Sequence, residues 1–290
     1  YAVHTPAWQV PDEPAHYNYV RQVAETGQLP VLTKGDYDQA YLDEIKARRF
    51  PPAMSIEPIR YEAWQPPLYY LLVAPVYQIA RGQLLFLRLA SVLLGGGVIL
   101  LTYAVTHTVF PQAERVALGA AAFVAFLPQH VAMMAGVNND ALAELLLAAL
   151  LWLMVRHVRG LSRRRELPLL GVLLGLGLVT KGTVYLAAPL ALLAVGWRAK
   201  AEGLAGRGVA ARWLVVFAPA FIIAFPSWLR NLALYGGTDF LARQWHDTVV
   251  FDQPRTATWL RDLGLASLLR HSLETTFRSF WGQFGWMGVL

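Results

Sequence analysis

Seven apolar stretches follow one another along this chain, at about 67–81, 84–108, 116–135, 141–155, 167–180, 183–197 and 213–229, with short polar links between them. A bilayer core takes roughly 20 apolar residues, with about 17 as the lower edge. The 84–108 stretch qualifies unaided, and the others need flanking residues or tilt. The 67–81 stretch is the weakest, being short and broken by Pro75, and also reads as a re-entrant or interfacial element. Apolar residues make up 56% of the 290 and charged residues 15%, a balance seldom met in a soluble domain. The expected fold is all-α: a polytopic transmembrane helical bundle whose extracytoplasmic first loop carries juxtamembrane helices. Three parts follow: a first loop over 1–83, the bundle over 84–229, and an amphipathic segment over 230–290 leading into a further span. The chain reads as part of a longer one, since it starts at Tyr1 without a leader-like segment and ends in an apolar run from Phe284.

Charge sets the expected orientation. Arg156, Arg159, Arg163, Arg164 and Arg165 form one basic loop, and Arg198, Lys200, Arg207 and Arg212 form another. Basic loops stay on the cytoplasmic side, so 167–197 must go out and return, turning at Lys181-Gly182-Thr183. Counting back, Asn138-Asn139-Asp140 lies outside. Provided that 67–81 does not cross, Asp12 lies outside too; if it crosses, Asp12 falls on the opposite face. The net charge of +6 therefore reads as topology and not as a nucleic-acid surface. With no cysteine in the chain, disulfides and thiolate metal sites are excluded.

Residues 1–65 are polar, with nine acidic and six basic side chains. A helix is expected from Pro11 to about Thr26, stopped by Gly27. At its start Asp12-Glu13 places two carboxylates side by side between prolines. Two adjacent carboxylates repel, which can raise one pKa, and acids are also favoured at a helix N-terminus by the macrodipole. His16, four residues on, shares a helix face with Asp12, as a hydrogen-bonding histidine or half of a metal pair. Asp140 starts a later helix, either as its cap or as a ligand, and Glu144 follows one turn on. Gly95-Gly96-Gly97 reads as close helix packing. No phosphate loop and no GxGxxG motif is present, so no nucleotide cofactor is expected.

Taken in order, Asp12-Glu13, Gln65-Pro66-Pro67-Leu68-Tyr69, Arg88-Leu89-Ala90-Ser91 and Asn139-Asp140 resemble the GT-C superfamily of polyprenyl-phosphate-dependent glycosyltransferases. Within it, the chain is similar to the aminoarabinose-transferase and protein O-mannosyltransferase branch. The resemblance covers residues 8–155 and fades beyond them. It implies an inverting transfer of a sugar from a polyprenyl-phosphate carrier to a hydroxyl of a protein, lipid or polysaccharide. It also implies an integral protein of a bacterial-type plasma membrane with an extracytoplasmic site. The catalytic role falls on Asp12 with Glu13, and Asp140 becomes a candidate ligand for a divalent metal ion. One departure stands out: the aminoarabinose branch has lysine before Pro-Pro, where this chain has Gln65, and an amide cannot neutralise a phosphate. Lys181, Arg60 and Arg230 are the cations expected to do so, with Gln65 and His16 completing the substrate-binding set. Lys181 also reads as a snorkelling helix-end lysine, and Arg230 as an interfacial anchor. Amphipathic residues in 230–286, including Trp245, Trp259 and Trp281, are expected to lie along the membrane surface over the site. Two rival readings are a non-catalytic subunit of a membrane complex and a transporter, the latter disfavoured because no internal repeat is seen.

Overall fold

The computed structural model describes residues 1–251 and 255–286. Its helices, in order, are α1 (Glu13–Thr26), α2 (Gln39–Ala47), α3 (Leu68–Ile79), α4 (Leu84–Val109), α5 (Glu114–Phe126), α6 (Pro128–Met134) and α7 (Asp140–Val158). They continue with α8 (Glu166–Leu178), α9 (Ala187–Ala201), α10 (Gly206–Tyr235), α11 (Arg243–Val249) and α12 (Thr256–Trp281). Short 3₁₀ turns occupy Tyr61–Trp64 and Gly182–Leu186. The described residues form the expected all-helical bundle.

Among the described residues, four helical stretches are long and apolar enough to cross a membrane: Leu84–Val109, Asp140–Val158, Gly182–Ala201 and Gly206–Tyr235. A fifth is the pair α5 and α6, bent by 61° where Pro128 lacks the N–H that would continue the helix. The other two apolar stretches form shorter helices. α3 has 12 residues and α8 has 13, about 18 and 20 Å of helix, short of a hydrocarbon core of about 30 Å. α8 stops early because the chain unwinds at Val179–Lys181. There Val179 O accepts from Leu68 N at 3.0 Å and Thr180 O accepts from Asn139 Nδ2 at 3.2 Å. Neighbouring elements thus satisfy carbonyls that a helix end leaves open.

Small residues set the closest approaches. A Cβ on Gly171 would lie 2.3 Å from Val216 O, and one on Gly175 3.0 Å from Ala220 Cα, so α8 meets the α10 backbone directly. Around that contact Leu150, Leu170, Leu174, Val195 and Val216 are fully buried. In the triple glycine of α4, Gly95 faces Met134 and Gly97 faces Leu145, whereas Gly96 faces open space. Large apolar side chains such as Leu93, Leu100, Phe126, Leu193, Leu214 and Ile222 point outward, as a lipid-facing belt requires.

The two ends of the bundle differ. Both basic loops gather at one end, where the Arg198 guanidinium lies against Gly160 and Arg159 donates to Val109 O, the last residue of α4, at 2.9 Å. The first loop covers the other end. Ile45, Phe50, Ile59 and Tyr61 share a small core there with Val249 and Val250, and Trp245 donates to Leu32 O at 2.8 Å. Residues 243–251 therefore close over the first loop. α12 has no buried side chain and touches the bundle through Phe280 and Trp281, whose rings lie 6.4 and 6.1 Å from Phe123. The final residues of the expected further span, 287–290, lie outside the described residues.

Candidate functional site

α1 begins at Glu13, two residues after the expected Pro11, and Gly27 stops it in the left-handed conformation at φ 69°, its N–H closing on Val23 O. The first residue is unusual. Asp12 sits at the N-cap with φ 60° and makes no side-chain cap. A left-handed backbone costs a residue with a Cβ about 1–2 kcal/mol, and such strain concentrates at functional positions. Its carboxylate instead accepts a hydrogen bond from Tyr61 Oη at 2.7 Å. Loss of hydration among the surrounding residues raises its pKa, a shift that Tyr61 and Lys181 oppose and Asp140 reinforces.

Glu13 has a different fate. It is fully buried and held by Arg88 through two charge-assisted bonds, Nε–Oε1 at 2.8 Å and Nη2–Oε2 at 2.6 Å. Val137 N and Trp8 N also donate to it, at 3.2 and 3.1 Å. Arg88 spends its remaining donors on Ala2 O, Thr5 O and Pro6 O. The pair thus ties the first loop to α4 and to the turn before α7. Four donors leave Glu13 no free lone pair directed at a substrate, which separates it from the catalytic role expected of both acids.

The second loop reaches the same corner. Asn138 Oδ1 caps α7 by accepting from Ala141 N at 3.2 Å, and this relieves Asp140 of capping. Asp140 pairs with Lys181 Nζ at 2.7 Å, both side chains partly exposed. Asn139, fully buried, donates to Gln65 Oε1 at 3.1 Å as well as to Thr180 O. Gln65 also bonds the Glu62 side chain, so its amide serves the fold between α7 and the Tyr61–Trp64 turn. Lys181 is then the cation left facing the corner, in extended backbone at the break after α8.

His16 is buried with Nδ1 2.8 Å from Tyr70 Oη. Burial first, then the charge of Lys181, pushes its pKa down to about 3, so it is a neutral hydrogen-bonding histidine at ordinary pH. The structure does not bring Arg60 or Arg230 into this cluster. Arg60 donates to Gln22 Oε1 at 2.6 Å and lies 3.7 Å from Asp36, while Arg230 donates to Pro30 O at 2.6 Å. Glu144 turns away as well, lying 3.2 Å from His130 Nδ1. Among the described residues no three His, Asp or Glu side chains converge as metal ligands, and Lys181 holds the position beside Asp140 that a cation would take. This donor set does not fit a resident divalent ion, and no step below is routed through one.

Two residues stood out less in the sequence. Tyr61 holds Asp12, and Glu62, beside it, is buried with Oε2 lacking a protein partner. Burial and the Asp12 charge raise the Glu62 pKa to about 8. The only hint in the sequence is their place just ahead of Gln65-Pro66-Pro67.

The family model described as dolichyl-phosphate-mannose-protein mannosyltransferase matches residues 64–228, more than half of the chain. The match takes in Gln65, Arg88, Asn139, Asp140 and Lys181 and begins just after Glu62. No curated protein and no solved structure matches the chain.

Proposed function

The chain belongs to the dolichyl-phosphate-mannose-protein mannosyltransferase family, and from that premise we propose that it is a membrane glycosyltransferase moving a sugar from a polyprenyl-phosphate carrier to a hydroxyl. The observation that carries the assignment is the Asp12 carboxylate. One oxygen is fixed by Tyr61, the backbone is strained to present it, and a lysine stands across the corner. The raised pKa makes Asp12 a better base than a solvated carboxylate, as general-base catalysis requires.

In the proposed step Asp12 takes the proton of the acceptor hydroxyl. The hydroxyl oxygen bonds to the anomeric carbon as the bond from that carbon to the phosphate oxygen breaks, and the phosphate leaves with the electron pair. Attack opposite the leaving group inverts the anomeric centre. Lys181, 2.7 Å from Asp140 before the donor arrives, exchanges that partner for the departing phosphate and stabilises charge where it develops. Gln65 is committed to Asn139, so Lys181 does the work that the resembling branch gives to lysine before Pro-Pro. The acceptor hydroxyl belongs to a protein, lipid or polysaccharide. The two basic loops gather at the opposite end, and the positive-inside rule therefore supports an extracytoplasmic site; a bacterial-type plasma membrane is the setting proposed with it.

The test is turnover of a polyprenyl-phosphomannose by membranes carrying the chain and by Asp12→Asn. We expect a loss of about 10²–10⁴-fold, the usual worth of a general base, with the thermal midpoint retained. Equal turnover in Asp12→Asn removes the catalytic assignment, and no turnover by the unaltered chain favours a non-catalytic subunit.

A further inference from the structure

Charge balance in the buried corner points to a second functional carboxyl. Glu13 is neutralised by Arg88 and Asp140 by Lys181, and Lys46, whose field also reaches Asp12, lies 2.9 Å from Asp43. Asp12 and Glu62 remain. Tyr61, which donates to Asp12 at 2.7 Å, directly precedes Glu62 in the chain, and neither acid is paired with a cation in a described contact. Two unpaired carboxylates in one desolvated corner cannot both ionise without a large penalty. Glu62 is the deeper of the two, being 9% exposed whereas Asp12 opens partly to the surface. One of its oxygens has no protein partner and the other side of the group is met by Gln65.

We propose that Glu62 is a positioning residue of the transfer site: it keeps a proton, leaves Asp12 as the only ionised carboxylate of the pair, and fixes Gln65 against Asn139. The proposal rests on the glycosyltransfer reading for its kinetic consequence only. A protonated Glu62 also spares the incoming phosphate a second negative charge. The groups facing it are Asp12 ahead of α1, Tyr61 on its own turn, Tyr70 on α3, Asp140 on α7 and Lys181 after α8. From α11, His246 reaches the same turn, its ring 4.6 Å from Trp64, beside Asp247. Burial acts most strongly, and the strongest charge effect opposing ionisation comes from Asp12.

The sign of the linkage is fixed by that raised value. Between the ordinary 4.5 and about 8 the folded chain holds a proton that the unfolded chain has lost, so stability falls as pH rises through this window. The experiment compares the unaltered chain with Glu62→Gln and Glu62→Ala, following the thermal midpoint in detergent from pH 4.5 to 9. It also measures KM and kcat with polyprenyl-phosphomannose. Glu62→Gln keeps a neutral hydrogen-bonding group, so the alkaline fall in midpoint flattens and KM stays level through pH 8, where KM of the unaltered chain rises. Its kcat at pH 7 stays within about threefold, whereas Glu62→Ala loses more than tenfold. An unchanged midpoint slope in Glu62→Gln overturns the proposal, as does a loss as deep as that of Asp12→Asn. If the unaltered chain turns over no donor, only the glycosyltransfer reading falls, and the midpoint slope still decides the role of Glu62.

Discussion

Carboxylates at the two ends of the bundle behave in opposite ways. At the basic end Glu202 lies between Arg198 and Arg212, and Arg156 meets Glu166 at 2.9 Å. Hydrogen bonds from Arg212 and Arg198 pull the Glu202 pKa down, and the acid stays ionised in water. At the covered end Asp12 and Glu62 have no arginine, and burial drives both pKa values up. The same residue type thus marks orientation at one end and holds reactivity at the other. What separates them is the number of cations within reach and the access of water: two arginines and solvent surround Glu202, whereas Asp12 and Glu62 are desolvated with no arginine on them.

Loss of turnover in Asp12→Asn is the largest effect expected from this contrast. The next is structural. Arg88→Met leaves Glu13 charged and unpaired in the interior and should cost about 3–5 kcal/mol, as breaking a buried ion pair does. Glu202→Gln, at the solvated end, should cost less than about 1 kcal/mol. Denaturation of the two variants side by side checks the difference, and equal costs would erase the distinction between the ends. A third check is the acid response of His16. Its pKa lies at about 3 in the fold against 6.5 when unfolded, so its contribution is complete above 6.5 and is lost as pH falls through 3. His16→Gln should flatten the acid limb of the midpoint profile, the counterpart of the alkaline limb assigned to Glu62, and an unchanged limb would place the acid sensitivity elsewhere.

Much of this arrangement was readable from residue order. Apolar stretches gave the bundle, Gly27 the end of α1, and Asp12, Gln65, Asp140 and Lys181 were candidates that the fold gathers into one corner. The remainder depended on contacts between distant segments. Glu13 looks identical to Asp12 in the sequence, and only Arg88, 75 residues away, gives it a different role. Asn138 takes the cap that Asp140 was equally suited to make. Arg60 and Arg230 carry the right charge, but the directions of their side chains are set by Gln22 and Pro30. Glu62 gave no periodic signal, because a 3₁₀ turn of four residues is too short to show one. The shortness of α8 was hidden too, since Val179-Thr180 continues its apolar run and unwinds only because α3 and Asn139 take up its carbonyls.

Everything proposed for the site requires that the first and second loops meet at one end of the bundle. Val10 and Gly136 offer the direct test, because a Cβ on Gly136 would lie 3.1 Å from Val10 Cβ, so that a shift of a few tenths of an ångström brings the pair to the roughly 3.5–4.5 Å a disulfide spans. In this cysteine-free chain the double variant Val10→Cys/Gly136→Cys can be oxidised in native membranes. It can then be cut at a protease site placed in the 110–113 link between α4 and α5. The account predicts two fragments that stay joined until a reductant is added. Fragments that separate without reductant would show that Asp12 and Asp140 lie apart, and the shared transfer site would be wrong.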